Sequence, residues 1–153
     1  MTMTDTLQTK PPVPSAQAFV PFVSVDAMMR LVNRIGLSRA LTELTDRIEG
    51  DFRRWPAFDK TPRVAAHSDI GVIELMPTSD GVHYAFKYVN GHPSNTRAGL
   101  QTVTAFGVLA RVETGYPLLF AEMTLLTALR TAATSALAAR HLAPKGAKVM
   151  AMI

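Results

Sequence analysis

The sequence predicts an α/β chain, in detail an α+β domain with a mainly antiparallel sheet and flanking helices. Three observations predict it. Residues 24–55 place apolar side chains at helical spacing, residues 63–121 change to short apolar runs separated by turn residues, and residues 123–142 contain neither Gly nor Pro. A switch of hydrophobic period along the chain marks a switch of secondary structure. With 153 residues, the chain supports one ordinary core.

The elements follow in order. Residues 1–21 are rich in Thr and Pro and lack a basic start followed by an apolar block. They read as a flexible N-terminal extension, not a secretion signal. Ser24 caps a helix through Ile35, with Val25, Met28, Val32 and Ile35 on one face and Gly36 ending it. Ser38 is positioned to cap a second helix. Its apolar face is Leu41, Leu44, Ile48 and Phe52, with Trp55 just beyond, and Pro56 stops it. Strands are expected at 63–67, 71–76 and 83–89, with turns at 77–81 and 90–93. A long apolar strand at 101–112 turns through Glu113, Thr114 and Gly115 into 116–121, a hairpin. The helix over 123–142 carries Ala128, Thr131, Ala132, Ala133, Thr134, Ser135 and Ala136, small residues that let a helix lie close to a neighbour. Pro144 and Gly146 then break the chain, and residues 148–153 read as a strand buried on both faces, as in a parallel sheet.

Composition narrows the function classes. Hydrophobic residues at 48% and charged residues at 18% are those of a globular domain. The 16 Lys/Arg against 12 Asp/Glu give a net charge of +4, but the cations are scattered, and Arg53 and Arg54 sit among Glu49, Asp51 and Asp59. Nucleic-acid binders cluster positive charge on one face, so none is expected as a partner. No apolar run approaches the ~20 residues that span a bilayer, so no membrane partner is expected either. The chain has no Cys, which removes thiolate chemistry, fits a reducing compartment and makes a cytoplasmic location the expectation. His67, His83, His92 and His141 lack metal-ligand spacing, so no metal is expected. There is no nucleophile elbow, P-loop or G-x-G-x-x-G.

Four charged residues interrupt the apolar pattern. Lys87 shares a strand face with Ala85 and Val89, while Tyr84, Phe86 and Tyr88 take the other. Glu74 is the only charge in 71–76, Arg130 lies mid-helix among small residues, and Arg63 opens a strand after Pro62. By pattern alone each reads first as a solvated surface charge. The functional reading is an anion site, since ammonium and guanidinium groups hold a carboxylate.

The stretches AFKYVNGHPSNTRAGLQTV and GVLARVETGYPLLFAEMTLLTALRTAATSALAARHLA resemble the ornithine cyclodeaminase and mu-crystallin family, and the match extends back through FRRWPAFDKTPRVAAHSDIGVIELMP. It covers residues 22–153. The resemblance implies an N-terminal extension at 1–21, a substrate-binding and dimerisation domain at 22–146, and the first strand of an NAD-binding Rossmann domain at 147–153. The family's catalytic Asp and most of its cofactor site then fall beyond residue 153, and the 153 residues alone are expected to be inactive. An apolar edge at 149–153 is expected to cause association. The resemblance further implies NAD-dependent conversion of L-ornithine to L-proline and ammonia by a homodimer. It places Arg63, Lys87 and Arg130 around the substrate α-carboxylate, with Lys87 also moving a proton. Glu74 falls near the δ-amine, and Thr102 and Arg130 fall against NAD. Alternatives within the resemblance are a ketimine reductase, a lysine cyclodeaminase, an amino-acid dehydrogenase, or a non-catalytic binding protein of the mu-crystallin kind.

Overall fold

The structure is a computed structural model and describes residues 19–151. The extension expected at 1–21 lies outside it except for its last three residues. Strand β1 (Phe22–Val23) leads into α1 (Val25–Ile35) and α2 (Leu37–Arg53). Strands β2 (Val64–Ser68), β3 (Gly71–Ser79), β4 (His83–Gly91), β5 (Val103–Arg111) and β6 (Pro117–Glu122) follow, and α3 (Thr124–Leu142) comes last. They form one six-stranded sheet in the order β1-β6-β5-β4-β3-β2 with helices beside it. The mixed α/β class expected from the sequence is the one observed.

Local chemistry explains most boundaries. The Ser24 hydroxyl accepts a hydrogen bond from the Ala27 N–H at 3.3 Å and caps α1. Gly36 ends α1 and starts α2 in one residue at φ 83°, a conformation that favours glycine. Ser38, expected as the cap of α2, therefore lies inside that helix; the direct Gly36 junction leaves α2 without a side-chain cap. Pro56 falls in a 3-10 turn, Trp55–Ala57, just past α2.

Strands β3 and β4 run further than expected, through Pro77 to Ser79 and through Asn90 to Gly91. Pro77 pairs with Phe86, past Leu75 where pairing with β2 stops. A residue without an N–H is accommodated where a strand has a neighbour on one side only. At the β3–β4 turn, Asp80 accepts from the N–H groups of Val82 and His83 at 3.1 and 2.8 Å and from Arg54 at 3.2 Å. These donors lower its pKa to about 2.

Phe22 and Val23, which open the expected domain and to which the sequence assigns no element, pair in parallel with Phe120 and Ala121. The run 148–153 has the sequence of a buried strand. Residues 147–151 carry no strand, Val149 is 90% exposed, and residues 152 and 153 lie outside the described residues. A strand exists only through its neighbours, and no described strand of this chain lies beside this run to pair with it.

Register sorts the side chains onto two faces. Lys87 lies opposite Met76 on β3 and Gly107 on β5, and Glu74 lies opposite Ala65 and Val89. Directly paired residues point to the same side of a sheet, so these residues share one face, here the inner face. Leu75, Tyr88, Phe106 and Phe120 point to the outer face. Helix α3 packs on the inner face and against α2. The buried apolar residues among those described are Ala105, Ala110, Ala121, Ala133 and Leu137. Ala105 and Ala121 on the inner face and Ala133 on α3 are small enough to let helix and sheet lie close. Thr45 of α2 is buried at the helix contact, where its hydroxyl donates to Leu41 O at 2.7 Å and lies 3.4 Å from Ala133 O. At the exposed end of the same contact, Arg140 bonds Asp46 and Glu49 at 2.9 and 3.0 Å.

Candidate anion site on the inner face

Lys87 is the centre of the site. The alternation Ala85-Lys87-Val89 turns it toward α3, where its ammonium lies 3.4 Å from the Thr127 hydroxyl. Among the described residues no carboxylate is within ion-pair distance of it. Its pKa lies below the usual lysine value, first because burial strips water from the ammonium, then because Arg130 and Arg63 repel it; Glu74 opposes the shift. Lys87 thus feels both arginines and Glu74. The structure gathers on one face four charges that lie far apart in sequence.

Arg63, just before β2, bonds both oxygens of Glu74 from one guanidinium nitrogen, at 3.0 and 3.2 Å. Glu74 is mostly buried and Arg63 about half exposed. Glu74, which the resemblance puts near a substrate amine, bonds Arg63 here. Arg130 is presented by α3 one turn after Thr127, and among the described residues it has no carboxylate partner. Three cations therefore face one carboxylate, and that carboxylate is already used. The unmet charge is positive, so the inner face attracts an anion.

Beside the charges lies a groove of about 830 Å³, lined by Val103, Thr127, Ala128, Thr131, Ala132 and Ser135 among others. It follows the exposed small-residue side of α3. Thr102 immediately precedes Val103 and its carbonyl accepts from the His92 N–H at 2.8 Å. Thr102 thus adjoins the groove through Val103, Arg130 sits in α3 between the lining residues Ala128 and Thr131 without lining the groove itself, and Arg63 and Glu74 stand together on the sheet. Among the described residues there is no group of three or more His, Asp or Glu side chains able to hold a metal ion. No described helix is long and apolar enough to cross a membrane.

Thr127 escaped the sequence reading. A hydroxyl one turn before Arg130, on the side of α3 that faces the sheet, was the available signal. Gly107 escaped too: a glycine inside an apolar strand marks a close approach. A Cβ there would collide with Phe86 O and come within 2.7 Å of the Met123 sulfur.

Comparison with known proteins adds to this geometry. The model of the ornithine cyclodeaminase/mu-crystallin family matches residues 25–153. The ornithine cyclodeaminase of Brucella suis biovar 1 (strain 1330) is 72% identical over 134 residues, 88% of this chain and 37% of that protein. The chain thus spans well under half the length of this relative. Among solved structures, a lysine cyclodeaminase described for its recognition of L-lysine, L-ornithine and L-2,4-diaminobutyric acid superposes with a TM-score of 0.74 at 28% identity. The match covers 80% of this chain and 38% of that one. An archaeal alanine dehydrogenase dimer with bound NAD gives a TM-score of 0.68 at 29% identity, over 82% of this chain and 38% of that one.

Proposed function

This chain belongs to the ornithine cyclodeaminase/mu-crystallin family, and from that premise we propose that it forms the amino-acid-binding part of a cytoplasmic, NAD-dependent ornithine cyclodeaminase. The observation that carries the reading is the inner face, where Arg63 and Arg130 both act on the charge of Lys87 and, among the described residues, Glu74 is the one carboxylate that opposes them. The 72% identity to an ornithine cyclodeaminase supports ornithine over lysine as the substrate.

The proposed reaction joins the δ-nitrogen of L-ornithine to Cα and releases the α-nitrogen as ammonia, leaving L-proline. Arg63, Lys87 and Arg130 hold the α-carboxylate, which fixes Cα and its hydrogen in one orientation. Glu74 orients Arg63 and draws the substrate's amines inward. Lys87, with its pKa lowered, carries a larger neutral fraction than a solvated lysine and can accept and return a proton. A nicotinamide dinucleotide, when bound, supplies the hydride acceptor that chemistry at Cα requires. The residues present fit one side of such a group: Arg130 has no carboxylate partner, Thr131 and Ser135 line the groove, and Thr102 adjoins it. A phosphate-cradling glycine loop is not among these 153 residues, so we propose that they contact the dinucleotide without holding it alone. The domain division at residues 22–146 and 147–153 is part of the same proposal.

We also propose that the protein is a homodimer joined through the outer sheet face, where Phe22, Val64, Leu75, Tyr84, Phe106 and Phe120 remain exposed. The test of the reaction is direct. The gene product containing this chain, given L-ornithine and NAD, should form L-proline and ammonia in equal amounts. Turnover of L-lysine with none of L-ornithine would move the assignment to the sibling reaction.

A further inference from the structure

We propose that Thr127 is a positioning residue for Lys87, seated by the missing side chain of Gly107, and that its hydroxyl partners Lys87 in both protonation states. The proposal rests on the reading above, in which Lys87 moves a proton.

The geometry begins at β5. The Ala105 N–H donates to the Thr124 hydroxyl at 2.9 Å, and the Met123 N–H donates to Ala105 O at 2.8 Å. The Leu125 N–H donates to the buried Glu122 carboxylate at 2.7 Å. The first turn of α3 is thereby pinned to the sheet. It is pinned close, because Met123 fills the space where a side chain at residue 107 would sit. Gly107 is also the residue directly opposite Lys87. One turn on, the Thr127 N–H bonds Met123 O at 2.8 Å, and the Thr127 hydroxyl comes within 3.4 Å of the Lys87 ammonium. The absence of one Cβ thus sets the distance between the lysine and its neighbour.

The chemistry of that neighbour matters. An ammonium has only donors, whereas a neutral amine also offers a lone pair. A carboxylate partner could only accept, which would hold Lys87 as a cation. A hydroxyl accepts from the ammonium and, by rotating, donates to the amine. The charges acting on Lys87 are Arg63 before β2, Glu74 on β3 and Arg130 on α3, while β5 presents uncharged Gly107. Thr127 is the neutral partner among them.

The experiment compares Thr127→Val, which keeps the shape and loses the hydroxyl, with Thr127→Ser, which keeps the hydroxyl. The gene product is labelled with ¹³C-lysine, Lys87→Arg assigns the signal, and the signal is titrated against pH. The valine variant should lower the Lys87 midpoint by roughly half a pH unit, because the charge-assisted bond from the ammonium is stronger than the bond to the neutral amine, and its loss outweighs the loss of the donor; serine should stay with wild type. Thr127→Ala serves in place of valine should valine not fold. Valine titrating with wild type, or serine falling with valine, overturns the proposal. The same shift is expected in the Lys87-dependent limb of the pH profile of kcat/KM. A titration shift without ornithine turnover would sink the proposed reaction and leave Thr127 in its role; turnover with an unmoved titration would do the reverse.

Discussion

Along β4 the residues alternate between two environments. Ala85, Lys87 and Val89 look inward to α3, and Tyr84, Phe86 and Tyr88 look outward. The inner face has a helix on it, small residues at the contact, and three cations around one carboxylate. The outer face has stacked Tyr88 and Phe106, their centroids 4.8 Å apart, within an exposed apolar surface. A sheet that invests charge on one side and aromatic area on the other has two jobs. In the proposed reading the inner face takes something small and anionic, and the outer face meets another apolar surface. Small residues at the α3 contact also carry a cost: few large side chains are buried, so much of the chain's apolar surface depends on neighbours.

The comparison can be broken at several points. The largest effect is expected from Arg130→Ala, which removes a cation with no carboxylate partner from the inner face. Steady-state kinetics on L-ornithine should show kcat/KM reduced on the order of a hundredfold, since a charge-assisted bond to a carboxylate is worth roughly 3 kcal/mol. Next comes Gly107→Ala, which forces a methyl against Phe86 O and Met123. Thermal or denaturant unfolding should show a loss of about 2 kcal/mol; an unchanged stability would mean that α3 is not held as closely as described.

On the outer face, Phe106→Lys places a charge in the aromatic patch and should raise the dimer dissociation constant at least about tenfold, near 1.4 kcal/mol, by analytical ultracentrifugation. Lys87→Met should have the smallest effect, and its sign is diagnostic. The folded-state pKa of Lys87 is lowered, so below that pKa the native state holds a cation at a cost that the unfolded chain does not bear. Stability of the wild type attributable to Lys87 rises with pH from the lowered value toward 10.5. The methionine variant should therefore be the more stable protein at neutral pH, with its advantage fading in alkali. An advantage that grows with pH would contradict the burial of Lys87.

Much of the fold was legible because it is written in periodic patterns and caps. Ser24, the Gly36 stop, the β5–β6 hairpin and the length of α3 all follow from local signals. Two residues, Phe22 and Val23, are too few to show a period, so β1 could not be read. The start of α2 was misplaced because Ser38 has the right chemistry for a cap, while Gly36 had already made the turn. The run at 148–153 has the composition of a buried strand, but composition does not supply a neighbour. At the site, alternation alone put Lys87 on a face apart from the aromatic residues. Its meeting with Arg63, Glu74 and Arg130 depends on long-range register, which no local pattern contains, and only the family resemblance pointed to it. Thr127 and Gly107 act through a helix-to-sheet distance, and a distance of that kind appears only in three dimensions.

The central claim is that the inner face is built for an α-carboxylate. Calorimetric titration of the gene product with L-ornithine and with 1,4-diaminobutane, the same molecule without its carboxylate, tests it most directly. The account predicts binding of L-ornithine, no detectable binding of the diamine, and loss of L-ornithine binding in Arg130→Ala. Equal binding of the two compounds, or an Arg130→Ala variant that binds L-ornithine as well as wild type, would contradict it.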